Sequence, residues 1–308
     1  MLTYFWRAAA ETDLIKLTEF KPGTWIHAEN PTKDEISLLE NRFSLDPDLI
    51  ADALDPDEIP RVEKEGGLVY IFMRRASRAE ESVSTTPVLL VLADGFVISV
   101  AAGSIPELIK PVDVSEFVTT DQPRLILGLA TALLKTYERN VNYLTRSIRS
   151  ARAGLTAANI SNSDFIRFVA IEDSLNELLS DLTPAGQMFN NLLVGKYRIA
   201  INEDDRDHAE DMLQTTQQLV DTANGSLKTI VNIREAYSTI MANDQTRIFK
   251  MLTSITIIMT IPGIITSIYS MNVALPLMHD PRVFWIVSGL ILSLMAVAAL
   301  LFRKNKWI

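Results

Sequence analysis

Six residues that carry a hydroxyl or no side chain fall on one helical rhythm: Thr253, Thr256, Thr260, Gly263, Ser267 and Ser270. Their steps of 3, 4, 3, 4 and 3 keep them on one face of a helix, as in a coiled-coil seam. Such a face exchanges hydrogen bonds with water or with a neighbouring helix. It suits close helix packing in lipid, where small and hydroxyl residues let backbones approach. It equally suits the wall of a polar passage, and the two uses are compatible. Other chemistry is excluded by composition. There is no cysteine, so there is no disulfide, thiolate metal site or cysteine nucleophile. Only His27, His208 and His279 are present, too few for the usual histidine-rich zinc enzyme. No phosphate-cradling glycine loop, nucleophile elbow or paired histidine ligands occur. The chain is not expected to be an enzyme.

The stripe lies in the first of two apolar stretches. After Lys250 no Asp, Glu, Lys or Arg appears until Asp280. Residues 251–269 are about as long as a bilayer core requires, roughly 20 helical residues. A second stretch covers 283–302. Arg247 and Lys250 precede the first, and Arg303, Lys304 and Lys306 follow the second. The connection carries Asp280 and Arg282, which cancel. The positive-inside tendency predicts both termini in the cytoplasm and the loop outside, in a multi-pass protein of the cytoplasmic membrane. No signal peptide is expected, because no apolar run precedes Glu11 and Asp13. A lone hairpin cannot enclose a pore: it anchors the rest of the chain, or several copies assemble around an axis.

The remaining sequence must position that hairpin. The chain has 308 residues, 48% hydrophobic and 22% charged, with a net charge of -9. An acidic chain is a poor general partner for nucleic acid, whose phosphates need a basic face. Residues 1–120 read as a mixed α/β domain with β-rich runs at 2–6, 24–27, 68–73, 87–92 and 96–100. Ala93-Asp94-Gly95 joins the last two as a hairpin. Thr32 followed by Glu35 predicts a capped helix start. Long cytoplasmic helices follow over 121–204: one from Gln122 to about Ala151, then a turn region over 154–163. A second starts near Asp164 and is expected to loosen at Pro184 and Gly186. A third, over 205–272, has no proline until Pro262, which should kink it. It therefore runs from the cytoplasm into the first span, close to about 100 Å of helix at about 1.5 Å per residue. It needs packing partners along its length. An external loop over 273–282, the second span over 283–302 and a basic tail over 303–308 complete the chain. Acids cluster at Asp46, Asp48, Asp52, Asp55, Asp57 and Glu58, and again at Glu203, Asp204, Asp205, Asp207, Glu210 and Asp211. A helix dipole alone favours the second cluster.

Tyr269-Ser270-Met271-Asn272, at the outer end of the first span, resembles the Tyr-Gly-Met-Asn signature of CorA-type divalent-cation (magnesium) channels. Lys250-Met251-Leu252-Thr253 and the end Arg303-Lys304-Asn305-Lys306-Trp307-Ile308 are also similar to the family. So are Asp52-Ala53-Leu54-Asp55, Ile59-Pro60-Arg61-Val62-Glu63 and Leu68-Val69-Tyr70. The resemblance implies a funnel-shaped homopentamer in which the first spans line a pore for hydrated Mg2+, with Co2+ and Ni2+ as substitutes. Tyr269, Ser270, Met271 and Asn272 would form the selectivity filter. Thr246, Phe249, Leu252, Thr256, Thr260, Gly263 and Ser267 would line the pore, with Phe249 and Leu252 as its hydrophobic constriction. Mg2+ yields its water reluctantly, so neutral oxygen acceptors such as Asn272 suit it. Asp52 and Asp211 match the carboxylates of an inter-subunit regulatory site, at which intracellular Mg2+ would hold the channel closed.

Two departures stand out. Ser270 replaces the family's glycine, and Thr246 stands where Asn is frequent, with Asn243 one turn earlier. If position 270 needs a positive φ, serine is strained there by around 1 kcal/mol. If it is a helix end, the hydroxyl can satisfy a carbonyl instead. Two other readings share the architecture. One is a Zn2+ transporter, with or without proton coupling, favoured only by His279. The other is a membrane-anchored regulator whose hairpin is merely an anchor.

Overall fold

Thr32 caps the first helix in the way its sequence predicts. Its hydroxyl accepts from the Glu35 backbone N–H at 3.3 Å, and the Glu35 carboxylate accepts from the Thr32 N–H at 2.9 Å. The helix so started is α1, Lys33–Phe43. The structure, a computed structural model, describes all residues except 9–13, 80–81, 110–117, 155–161, 198, 200–201, 274–279 and 308. The described chain forms two compact units, Met1–Val231 and Asn232–Ile308.

The first unit is built on one seven-stranded sheet. Its strands are β1 (Leu2–Trp6), β2 (Ile15–Leu17), β3 (Thr24–Glu29), β4 (Arg61–Glu65), β5 (Leu68–Ala79), β6 (Ser82–Ala93) and β7 (Phe96–Ala101). Their order is β2-β1-β3-β7-β6-β5-β4, antiparallel except for the β3–β7 pair. All five expected β runs are present, and Asp94-Gly95 turns β6 into β7 with Gly95 at φ 85°. β2 and β4 were not expected. β2 has only three residues, and β4 reads RVEKE, a charged strand that blunts the sheet edge.

The sheet is covered on both faces, which explains the continuous apolar runs of β5 and β6. Tyr70, Phe72, Leu89, Val91, Ile98 and Val100 pack with α1 and with α2, Pro47–Asp52. The alternate residues Ile71 and Met73 face the long helices α4 (Gln122–Gly154) and α5 (Asn162–Leu193). A short α3, Pro106–Ile109, lies between the sheet and α4 in sequence. A buried polar network fixes the long helices to the sheet. Arg74 donates to the Thr85 hydroxyl at 2.8 Å and pairs with Asp181 at 3.3 Å, and Tyr137 donates to Asp181 at 3.0 Å. Burial raises the Asp181 carboxyl above its ordinary value and also holds the Tyr137 phenol protonated. α5 is continuous through Pro184 rather than loosened there. Leu182, Ala185, Met188 and Phe189 are buried around the missing N–H and hold the turn by packing.

α6 runs unbroken from Glu203 to Tyr269, 67 residues, and continues through Pro262. In the first unit it presents a seam of buried residues at Ala209, Met212, Thr216, Leu219, Ala223, Ser226 and Ile230. The steps of 3 and 4 are those of a heptad. Here lie the packing partners that so long a helix needs: the His208 Nε2 and Thr131 Oγ1 are 2.8 Å apart, and Thr145 and Ser226 share a hydrogen bond of 3.0 Å, both between α4 and α6. The second unit holds the end of α6 and α7, Val283–Lys304. Both α6 and α7 contain stretches long and apolar enough to cross a membrane.

Candidate functional site

Within the second unit, α6 has one less exposed face and one open face. Ser254 is buried and Ile258, Ile261, Pro262 and Ile265 are half-buried. They keep the heptad phase of the seam that begins at Ala209. The hydroxyl stripe Thr253, Thr256, Thr260, Gly263, Ser267 and Ser270 is fully exposed. At about 100° per residue the two sets lie on roughly opposite sides of the helix. The stripe is therefore not what a single chain packs against itself. Among the other expected pore residues, Thr246, Phe249 and Leu252 are also exposed.

Several hydroxyls on this face are committed as donors to their own helix. Thr256 donates to the Leu252 carbonyl at 2.9 Å, Thr260 to Thr256 at 2.8 Å, and Thr246 to Ala242 at 2.8 Å. Each of these hydroxyls has a single proton, so what it offers outward is oxygen lone pairs. Lone pairs accept from water, and the water around a cation turns its protons outward. The face is thus chemically matched to a hydrated cation.

The end of α6 resolves the question posed by Ser270. The helix stops at Tyr269, and Ser270 follows as a turn residue. Its backbone N–H donates to Thr266 at 3.0 Å, and its hydroxyl donates to the Ser267 carbonyl at 2.9 Å. It is absent from the positive-φ residues, which among the described non-glycines are Asn30, Ser44 and Lys306. Serine here is unstrained and satisfies one of the helix's last carbonyls. Met271 and Asn272 follow, both exposed. Among the described residues the Asn272 side chain makes no hydrogen bond, so it is not spent as a cap. His279 lies outside the described residues.

The acidic clusters are largely explained by local structure. Asp46 caps α2, accepting from the N–H groups of Asp48 at 2.9 Å and Leu49 at 3.2 Å. Asp55 accepts from Asp57 N–H at 3.0 Å in the next turn. Glu203, Asp204 and Asp205 occupy the first turn of α6. Asp205 is buried, and burial, then the nearby Asp121, raise its carboxyl above the ordinary value. Asp52 ends α2 and pairs through Oδ2 with Arg61 at 2.7 Å. Arg61 also pairs with Glu58 and with Glu63, and sits over the Phe72 ring at 4.1 Å. Arg61 is the neighbour of Asp52 that sequence reasoning missed. Its place beside Asp52, nine residues on across a turn and into β4, has no short-range signal. The Asp52 Oδ1 makes no hydrogen bond among the described residues. Asp211 is exposed in the third turn of α6. Among the described residues no group of three or more His, Asp or Glu side chains of this one chain could hold a metal ion.

An α/β domain carrying a long helix into two apolar spans, with a cation-compatible face on the first, defines a membrane transport protein. The family described as CorA-like Mg2+ transporter protein matches residues 21–304, and the chain belongs to it. It is 24% identical over 310 residues to the cobalt/magnesium transport protein CorA of Methanocaldococcus jannaschii, covering 92% of this chain and 91% of that protein. The complete structure of the CorA magnesium transporter from the same organism superposes with a TM-score of 0.85 at 21% identity, covering 100% of this chain and 99% of that one. The ZntB cytoplasmic domain from Vibrio parahaemolyticus shares the fold at a TM-score of 0.63 and 10% identity, over 78% of this chain and 98% of that domain.

Proposed function

We propose that the protein conducts hydrated Mg2+, with Co2+ and Ni2+ as substitutes, across the cytoplasmic membrane as a homopentamer with both termini in the cytoplasm. Five copies of α6 surround the pore with the stripe facing its axis. Thr246, Phe249 and Leu252 line its inner end, and Thr256, Thr260, Gly263 and Ser267 its middle. The Tyr269-Ser270-Met271-Asn272 segment is the filter. Five Asn272 oxygens and the carbonyls at the end of α6 hold the ion through its water shell without stripping it. A carboxylate ring would bind the ion too tightly to release it. Asp52 of one protomer and Asp211 of the next share an intracellular Mg2+ that favours the closed state. Losing the ion leaves the carboxylates repelling each other and shifts the population.

The observation that carries this reading is the open hydroxyl face of α6, opposite its less exposed face and offering acceptors at Thr246, Thr256, Thr260 and Ser270. An anchoring hairpin has no need of such a face. The test is uptake by proteoliposomes holding the purified protein, comparing Mg2+, Co2+, Ni2+ and Zn2+ with and without a pH gradient. Uptake of Mg2+ that is indifferent to the gradient is expected. Zn2+ uptake driven by the gradient, without Mg2+ uptake, would overturn the Mg2+ reading. The absence of any uptake would return the hairpin to a mere anchor.

A further inference from the structure

A second polar feature lies in the first unit, away from every residue assigned above. The C-terminal part of α4 and the middle of α6 leave between them a cavity of about 290 Å3. That is near the lower end of the range for small-molecule sites, about 300 Å3. Arg149 and Arg152 line it from α4, one turn apart, and no Asp or Glu lines it. Like charges at this spacing repel. Both side chains are exposed, and neither guanidinium has an ion-pair or hydrogen-bond partner among the described residues.

Two further observations point to a ligand. Thr145 and Ser226 line the cavity and share one hydrogen bond at 3.0 Å. Two hydroxyls sharing one bond leave one O–H free to donate. Gly225 also lines the cavity, in the interior of α6. A Cβ added there would meet nothing within 4 Å. Packing within the chain therefore does not require glycine, although glycine disfavours a helix interior. Its missing side chain leaves room and lets a ligand approach the backbone.

We infer that this cavity binds a phosphate group, as free phosphate or at the end of a small phosphate monoester. Two guanidinium forks match the geometry of phosphate oxygens, and the spare hydroxyl supplies a third donor. The volume leaves space beyond the phosphate for the body of a monoester. The inference does not rest on the transport reading.

The test is isothermal titration calorimetry on the full-length protein in detergent, stripped of metal with a chelator, at low salt. The probes are inorganic phosphate and adenosine monophosphate. Saturable binding at one site per chain is expected, weakening as sodium chloride is raised. Arg149→Gln and Arg152→Gln should each weaken it by at least about tenfold, and Arg→Lys at the same positions should recover part of the loss. Gly225→Leu, which fills space and leaves the charges in place, should weaken adenosine monophosphate more than phosphate if the monoester is the ligand, and both alike if phosphate is. Melting temperatures of the variants confirm that each is folded. No heat from either probe at millimolar concentration, or binding unchanged in the Arg149→Gln/Arg152→Gln double variant, would overturn the proposal.

Discussion

Arg61 donates to the Asp52 carboxylate at 2.7 Å, and the same guanidinium is shared with Glu58 and Glu63. A tethered cation thus already sits beside the carboxylate proposed to sense a free one. Exposed ion pairs are individually weak, about 0–1 kcal/mol. At the proposed sensor Arg61 would therefore compete with Mg2+ and set the concentration at which sensing begins.

Arg61→Gln should lower the Mg2+ concentration needed to protect the first unit from proteolysis, by about fivefold if the lost pair is near 1 kcal/mol. Without Mg2+ this variant should be cut faster than wild type, since three carboxylates lose their counter-ion. A midpoint that does not move would separate Arg61 from sensing.

Asp211 tests the other half of the proposed site. Asp211→Ala should keep flux running at internal Mg2+ that silences wild type. Asp211→Lys should instead resist proteolysis without metal, because a fixed cation near the neighbour's Asp52 replaces the ion's charge. If Asp211 merely favours the start of α6, both variants cost under about 1 kcal/mol of stability. Their Mg2+ titration curves would then superimpose on that of wild type.

Asn272→Ala should reduce Mg2+ uptake by proteoliposomes at least about tenfold while the oligomer seen in size-exclusion chromatography is unchanged. Alanine has no side-chain acceptor for the ion's water shell. Undiminished uptake removes Asn272 from the filter.

Ser270→Gly should leave uptake within about twofold, because position 270 needs no left-handed backbone. The variant loses only the hydroxyl bond to the Ser267 carbonyl. A large loss of transport would make the hydroxyl itself a functional ligand.

His27 gives a prediction in pH. Burial, the largest influence, lowers its pKa from the ordinary 6.5, and its Nδ1 lies 2.8 Å from the Ser99 hydroxyl. Above pH 6.5 the imidazole is neutral whether the chain is folded or unfolded. As pH falls below 6.5 the unfolded chain takes up a proton first, so stability falls until the folded pKa is reached, by at most about 1.4 kcal/mol per pH unit. Melting temperature between pH 7.5 and 5.5 should therefore drop more for wild type than for His27→Gln. Equal drops would place the acid sensitivity elsewhere.

Local signals carried much of this molecule. The Thr32 capping box, the Asp94-Gly95 hairpin and the five apolar β runs each depend on residues within a few positions, and each is present. The apolar spans and the stripe from Thr253 to Ser270 were legible for the same reason. What escaped was set by contacts distant in sequence or by edges without apolar content. β4 is a strand because it pairs with β5, not because RVEKE prefers to be one. Pro184 sits in an unbroken helix because its surroundings are packed. The seam from Ala209 to Ile230 mixes alanine, threonine and serine with larger residues, so its heptad is clear only once burial is seen. Ser270 could be read two ways from sequence, and only its backbone conformation decides between them.

The direction of the hydroxyl protons on α6 has one more consequence. Thr256, Thr260 and Ser270 all turn their hydrogens inward to their own backbone. An anion approaching these three positions would find oxygens and no hydrogens to meet it. In the proposed pore these positions would favour a cation over an anion while carrying no charge, without the deep well in which a ring of carboxylates would trap a divalent ion. Valine in place of either threonine would keep the shape of the wall and remove that position's acceptor.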